Sequence, residues 1–170
     1  LEISLHATST WENDPEGRER CVEDIASANI IIATMLFMED HIRSVLPAIE
    51  ARRHACDAVI SFMSAGEVIR QSHLGQLDFG KEATGIMGLI KRLKGSKKSS
   101  GHSSGERQMA MLRRIPRFLR FIPGSAQDLR AYFITMQYWL AGSEDNFVNM
   151  VRFVVNRYAG GPRAVLRGRM

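Results

Sequence analysis

Four ionisable side chains that follow apolar segments of the chain have the chemistry to bind a divalent metal ion or to move protons. Imidazole nitrogens and carboxylate oxygens are suitable for both tasks. In a parallel sheet the carboxyl ends of the strands meet at one edge, where ligands bind. Carboxylates that begin a helix also stabilise its dipole, so a purely local role stays open. The four candidates are His6, Glu39, His41 and Glu67.

A second group of candidates is aromatic. Tyr132, Phe133, Tyr138 and Trp139 lie within eight residues of one another and could stack on a flat aromatic ligand. Aromatic residues at helical spacing also pack in protein cores. The sequence therefore leaves both a binding role and a core role open for this segment.

A phosphate-loop match is present but incomplete. Gly75, Gly80 and Lys81 have the spacing of the nucleotide-binding motif, but Glu82 stands where a magnesium-binding hydroxyl is required. The segment also does not leave a strand directly, as that motif must. Because the chain has neither the His-Glu-x-x-His nor the Cys-x-x-Cys pattern, we assign it no catalytic or metal-ligating residue of its own.

The first eighty residues predict the elements that would position these groups. Apolar and polar residues alternate over 1–5, and the runs 29–37 and 58–63 are almost continuously apolar, as in strands. Helical periodicity covers 15–28 and 39–55. Strands joined by helices are parallel, so the pattern predicts an α/β fold with a parallel Rossmann-like or flavodoxin-like sheet. The sheet is expected to be incomplete at its amino-terminal side.

The remaining residues predict a helical portion after a basic loop. Residues 94–106 contain only Lys, Ser, Gly, His and Glu, a composition that cannot form a core. Helices are expected over 126–141 and from Ser143 to about Tyr158, with Ser125 and Asp128 in a capping box. The expected division is an α/β portion over 1–80, a loop over 81–106 and a helical portion over 107–170.

The charge of the chain is concentrated in blocks. Residues 1–80 hold 13 Asp and Glu against 6 Lys and Arg, whereas residues 81–120 hold 2 against 11. A basic block can bind an anionic partner, although charge runs are also solvated surfaces. Arg113, Arg114 and Arg117 are the candidates for docking a partner protein or a membrane surface.

Several classes of protein are excluded. The longest apolar run, 30–38, is about half the length that a transmembrane helix needs, and no secretory signal is recognisable. The two cysteines, 35 positions apart, match no zinc or redox spacing and suit a reducing compartment. We expect a cytoplasmic protein, with peripheral membrane association left open, and no nucleic-acid partner.

Long segments of the chain resemble a known family. Four segments resemble the N-terminal region of the large (H) subunit of bacteriochlorophyll-type magnesium chelatase: residues 27–53, 56–75, 91–98 and 103–159. They include the stretches MLFMEDHI and AQDLRAYFITMQYWLAGS. The resemblance implies an enzyme that inserts Mg²⁺ into protoporphyrin IX while two smaller AAA+-type subunits hydrolyse ATP. The large subunit of cobaltochelatase is the lesser alternative.

Two hypotheses remain open for the role of this part of the enzyme. In one, Arg130, Tyr132, Tyr138 and Trp139, with the strand-end groups, contact porphyrin or Mg²⁺. In the other, the chain is a non-catalytic module that docks the AAA+-type subunits or a porphyrin-carrying accessory protein. The residues of the chelation site are expected outside this sequence, and no cofactor is assigned to the chain itself.

Overall fold

The computed structural model describes residues 1–81, 116, 119, 120 and 124–168. The chain divides into two compact units, Leu1–His73 and Leu74–Met170. The expected boundary at about residue 80 stays a prediction, since residues 82–115 lie outside the described part of the chain. Within that part, no helix combines the length and the apolar character that crossing a membrane requires.

The first unit alternates helices and strands as the periodicity predicts. Its elements are α1 (Pro15–Ser27), β1 (Ile30–Thr34), α2 (Glu39–Arg52), β2 (Ala58–Phe62) and the short α3 (Gly66–Ile69). β1 and β2 are parallel, with Ile30 opposite Ala58 and Thr34 opposite Phe62. The α/β class is therefore confirmed.

The strand predicted at the amino terminus is wrong. Residues 1–5 form no strand, and Leu1 and Leu5 are 66% and 80% exposed. Alternation favours a strand only where a neighbouring strand accepts its backbone hydrogen bonds, and among the described residues β1 pairs only with β2. The segment leads instead into a short 3₁₀ helix, Thr8–Thr10.

The core of the first unit lies between its helices and the β1–β2 pair. β2 is buried along its whole length, and β1 buries alternate residues. This burial explains why both strands read as apolar runs in the sequence. The buried cluster contains Cys21, Ile31, Ala33, Leu36, Ile42, Val45, Ile49, Cys56, Val59 and Val68.

Two very short strands follow, and they make the sheet only partly parallel. β3 (His73–Leu74) and β4 (Leu77–Asp78) flank a two-residue turn, Gly75-Gln76, and the strand order is β1-β2-β3-β4. Gly75 has a φ of +58°, a conformation that glycine adopts without steric cost. Contrary to the sequence analysis, the phosphate-loop match follows a strand directly, but it then passes through β4 before the chain turns helical at 79–81. No single loop therefore joins a strand to a helix, as that motif requires.

Two long helices dominate the second unit. α4 (Ser125–Ala141) ends at Gly142, which has a φ of +68°, and α5 (Glu144–Tyr158) begins with the Ser143 hydroxyl accepting from the Asn146 N–H. Both ends are as the sequence predicts. The prediction of a capping box at Ser125 and Asp128 is wrong, because the N-cap residue is Gly124 and no side chain caps the helix. A 3₁₀ helix, Gly161–Leu166, follows α5.

Candidate functional site

The carboxyl ends of β1 and β2 lie side by side and share an unusual backbone conformation. The Met35 N–H donates to the Met63 carbonyl oxygen at 3.0 Å. Both methionines have positive φ angles, 61° and 50°. Residues other than glycine rarely adopt this region, because the side chain crowds the following carbonyl group. Each strand therefore ends in a conformation that its own residue disfavours.

The two loops that follow these methionines are joined by hydrogen bonds. The Leu36 N–H donates to Ser64 Oγ at 3.1 Å, and the Ala65 N–H donates to the Leu36 carbonyl at 2.8 Å. The Ser64 hydroxyl donates to the Phe62 carbonyl. Leu36 is buried in the core. These contacts hold the backbones of the two loops together.

The neighbouring side chains are large, apolar and exposed. Phe37 and Met38 are 58% and 65% exposed, and Met35 and Met63 are 54% and 36% exposed. We call these four residues the methionine patch. Clusters of exposed apolar side chains typically mark binding surfaces in soluble proteins. Sequence reasoning missed the patch because Met35 and Phe37 continue an apolar run whose earlier residues are buried.

Two of the four predicted polar candidates, His6 and Glu39, each pair with an ionisable side chain. His6 Nε2 lies 2.7 Å from Asp24 Oδ2, and this hydrogen bond, with a second from Ser4, lowers the pKa of the Asp24 carboxyl group. Glu39 pairs with Arg43 one turn along α2.

The other two polar candidates, His41 and Glu67, make contacts of a different kind. The His41 ring meets the Trp11 ring edge-on, with 5.5 Å between centroids. Glu67 is exposed, and its backbone carbonyl accepts from the Gln71 side chain. Within the described ranges, His6, Glu39, His41 and Glu67 join no group of three potential metal ligands. Their role in metal or proton chemistry stays a prediction.

Tyr132 is part of the core of the second unit. It is 6% exposed, and its ring lies 4.8 Å from the Phe79 ring and 5.5 Å from the Phe133 ring. Burial raises the pKa of its phenol far above the ordinary value. A ligand could reach this ring only by displacing core side chains.

The four candidates on α4 do not share one face of the helix. Trp139, seven residues on, lies on the same side of the helix as Tyr132, and Arg130 lies opposite. Arg130 Nε donates to the Pro116 carbonyl at 3.0 Å. Tyr138 and Trp139 are half-buried, and the Tyr138 ring lies 6.2 Å from the Phe153 ring. Their porphyrin contacts stay a prediction.

Asp128 forms a buried polar centre that the sequence did not reveal. Its carboxylate accepts from the Gln76 N–H at 2.8 Å and from the Tyr158 hydroxyl at 2.9 Å, and Arg157 lies 3.3 Å away. These contacts join α4 to α5 and to the turn before β4. These partners lie 30 and 52 positions away, so no local sequence pattern indicates them. The sequence analysis therefore assigned Asp128 to a capping box.

Two further features bear on function. Arg113, Arg114 and Arg117 lie outside the described residues, so their docking role stays a prediction.

An open depression of about 420 Å³ is lined by charged or polar residues except for Val22. This lining lacks the apolar and aromatic side chains that usually hold a flat organic ligand. The lining residues are Arg18, Glu19, Val22, Glu23 and Ser44.

Comparison with known families places the chain. Residues 1–133 match the family described as "Domain of unknown function (DUF3479)", and the chain belongs to that family. It is also similar to the magnesium-chelatase H subunit of Cereibacter sphaeroides, with 46% identity over 94% of the chain. The corresponding identity is 44% for the Rhodobacter capsulatus protein and, over 85% of the chain, 33% for the chloroplastic ChlH subunit of Oryza sativa subsp. indica.

These relatives confirm the resemblance to the H subunit of magnesium chelatase. The chain spans 13% of the length of the two bacterial relatives and 10% of the length of the plant relative. The similarity therefore covers a small part of each of these relatives.

Proposed function

We propose that the chain is a protein-docking domain of the large subunit of a magnesium chelatase. The similarity to a magnesium-chelatase H subunit over 94% of the chain supports the enzyme assignment. In this proposal the whole enzyme inserts Mg²⁺ into protoporphyrin IX, and partner subunits supply the energy by hydrolysing ATP. Mg²⁺ and the porphyrin are substrates of the whole enzyme, and the chelation chemistry takes place outside these residues.

The observation that carries the docking role is the exposure of the methionine patch. Four large apolar side chains lie on two loops that are hydrogen-bonded to each other. Flexible methionine side chains adapt to the shape of a protein partner. A docking role gives these side chains a partner to pack against.

The candidates for direct porphyrin contact support the alternative less well. Tyr132 is a core residue, and Arg130 lies on the opposite side of α4. A porphyrin is a large flat macrocycle that needs an apolar cleft with converging polar groups. These candidates provide no such convergence, so we place the chelation site elsewhere in the protein.

Assembly of the reconstituted enzyme tests the proposal. We would replace Phe37 and Met38 by Ser in the full-length large subunit, then titrate the smaller subunits while measuring magnesium porphyrin formation. Losing two anchors of a docking surface typically weakens binding at least about tenfold. We therefore expect a rise of that size in the concentration of smaller subunits at half-maximal activity, with porphyrin affinity unchanged.

A matched control separates docking from general damage. Val148 and Val165 are also exposed, at 40% and 61%, and their replacement by Ser removes apolar surface from the second unit. This control should assemble like the unmodified protein. Normal assembly of the Phe37→Ser, Met38→Ser variant, or a selective loss of its porphyrin binding, would contradict the proposed function.

A further inference from the structure

The methionine patch retains residues that folding alone disfavours. Met35 and Met63 occupy the left-handed region, where glycine is free of the steric cost that a side chain incurs. Neither side chain is buried, so core packing offsets little of that cost. Strained positions of this kind cluster at binding sites. Their side chains are therefore candidates for contacts made outside the first unit.

The side chains of the patch are of the types found on surfaces that bind a helix. Phe37 offers a rigid aromatic anchor, and the three methionines offer adaptable apolar surface around it. Helix-binding surfaces often combine these two kinds of side chain. Ser64 stabilises the backbone beneath them through its hydrogen bonds to Leu36 and Phe62.

Acidic residues next to the patch in the sequence indicate that the partner is cationic. Glu39 and Asp40 directly follow Met38, and Glu67 lies in the first turn of α3, four residues after Met63. Arg43 pairs with Glu39 and offsets only one of the three carboxylates. The whole unit, residues 1–73, holds 12 Asp and Glu against 6 Lys and Arg. Such a surface attracts cationic partners and repels carboxylate-bearing ligands and anionic lipid.

We propose that the methionine patch binds the apolar face of a basic amphipathic helix that belongs to a partner protein. This inference rests on the proposed function and defines the partner's chemistry. Leu- or Phe-type side chains of the helix pack on Met35, Phe37, Met38 and Met63. Its Lys and Arg side chains lie against Glu39, Asp40 and Glu67.

A designed peptide probes the chemistry directly. The probe is a helix of about 18 residues with Leu on one face and Lys on the other, labelled with a fluorophore, and its twin carries Glu in place of Lys. We would titrate each with the 170-residue chain and follow fluorescence anisotropy. The Leu/Lys helix should bind saturably and lose affinity as salt increases, and the Leu/Glu helix should bind at least about tenfold more weakly.

Variants locate the binding on the patch. Phe37→Ser with Met38→Ser should raise the dissociation constant of the Leu/Lys helix at least about tenfold. Asp40→Asn with Glu67→Gln should weaken binding and flatten its salt dependence, because these changes remove two of the three carboxylates beside the patch. Glu16→Gln with Glu19→Gln removes the same charge from α1 and should leave both quantities close to those of the unmodified chain.

Glycine variants supply a readout that a structural role would not produce. Met35→Gly and Met63→Gly relieve the positive-φ cost, so thermal stability should stay equal or increase while helix binding weakens. A residue retained only for folding would instead lose stability when replaced.

Three results would overturn the inference. They are equal affinity for the two helices, undiminished binding by the Phe37→Ser, Met38→Ser variant, and binding of phosphatidylglycerol vesicles as strong as that of the Leu/Lys helix. If the peptide results fail while that variant still disrupts enzyme assembly, docking stands and the helix chemistry is wrong. If assembly is unaffected as well, the proposed function itself fails.

Discussion

Asp128 shows how one buried charge organises the second unit. Its carboxylate accepts from the Gln76 N–H and the Tyr158 hydroxyl, and it lies close to the Arg157 guanidinium. These donors satisfy hydrogen-bonding positions of a carboxylate that is largely buried. Removal of any donor would leave part of that charge uncompensated.

Gly75 is the residue whose replacement tests this arrangement most sharply. A Cβ atom at this position would overlap the Asp128 carboxylate, and the φ of +58° disfavours any side chain. We therefore expect Gly75→Ala to lower the free energy of unfolding by at least about 2 kcal/mol, measured by urea denaturation. Gly66→Ala is the control, since a Cβ atom there meets no atom within 4 Å. Equal stability of the two variants would contradict the proposed geometry.

At the scale of elements, the sequence predicted what periodicity controls. Apolar residues recur at helical spacing in α1 and α2 and form almost continuous runs in β1 and β2. The positions predicted for these four elements agree with the structure to within a few residues. β3 and β4 have two residues each, too few for any periodicity. The prediction of a strand over residues 1–5 is wrong because a strand needs a neighbouring strand to pair with, and a local sequence pattern does not specify that neighbour.

The buried face of α1 provides a chemical test at this scale. Cys21 lies in the core cluster, where burial, with a smaller contribution from the Asp24 charge, raises the pKa of its thiol to about 11. At about pH 8 the native protein should react with iodoacetamide at Cys21 at least about tenfold more slowly than the urea-unfolded chain, because the thiolate is the nucleophile. Peptide mapping by mass spectrometry would measure this rate, and equal rates would place Cys21 outside the core.

The same shift in the Cys21 pKa has a consequence for stability. The folded-state pKa of about 11 lies above the reference value of 9.0, so the unfolded chain loses its proton first as the pH rises. The contribution of Cys21 to stability is therefore complete below about pH 9 and falls between pH 9 and 11. Cys21→Ala should remove this part of the alkaline loss in a series of urea denaturations.

At the scale of the whole molecule, the two units differ in charge and in the kind of surface they offer. Residues 1–73 carry a net charge of −6 and residues 74–170 a net charge of +11. The acidic unit holds the methionine patch, and the basic unit holds the buried aromatic residues of α4. Composition reveals the charge difference, but only the fold shows that Phe37 is exposed and Tyr132 is buried.

We infer that these residues dock a protein and do not hold the porphyrin, and a titration of the 170-residue chain with a water-soluble porphyrin tests this claim. Trp11 and Trp139 are the only tryptophans, and their fluorescence would be followed at low and high salt in a preparation that unfolds cooperatively. We expect no saturable quenching. Saturable, salt-insensitive quenching that Trp139→Phe abolishes would contradict the claim and place porphyrin contacts on α4.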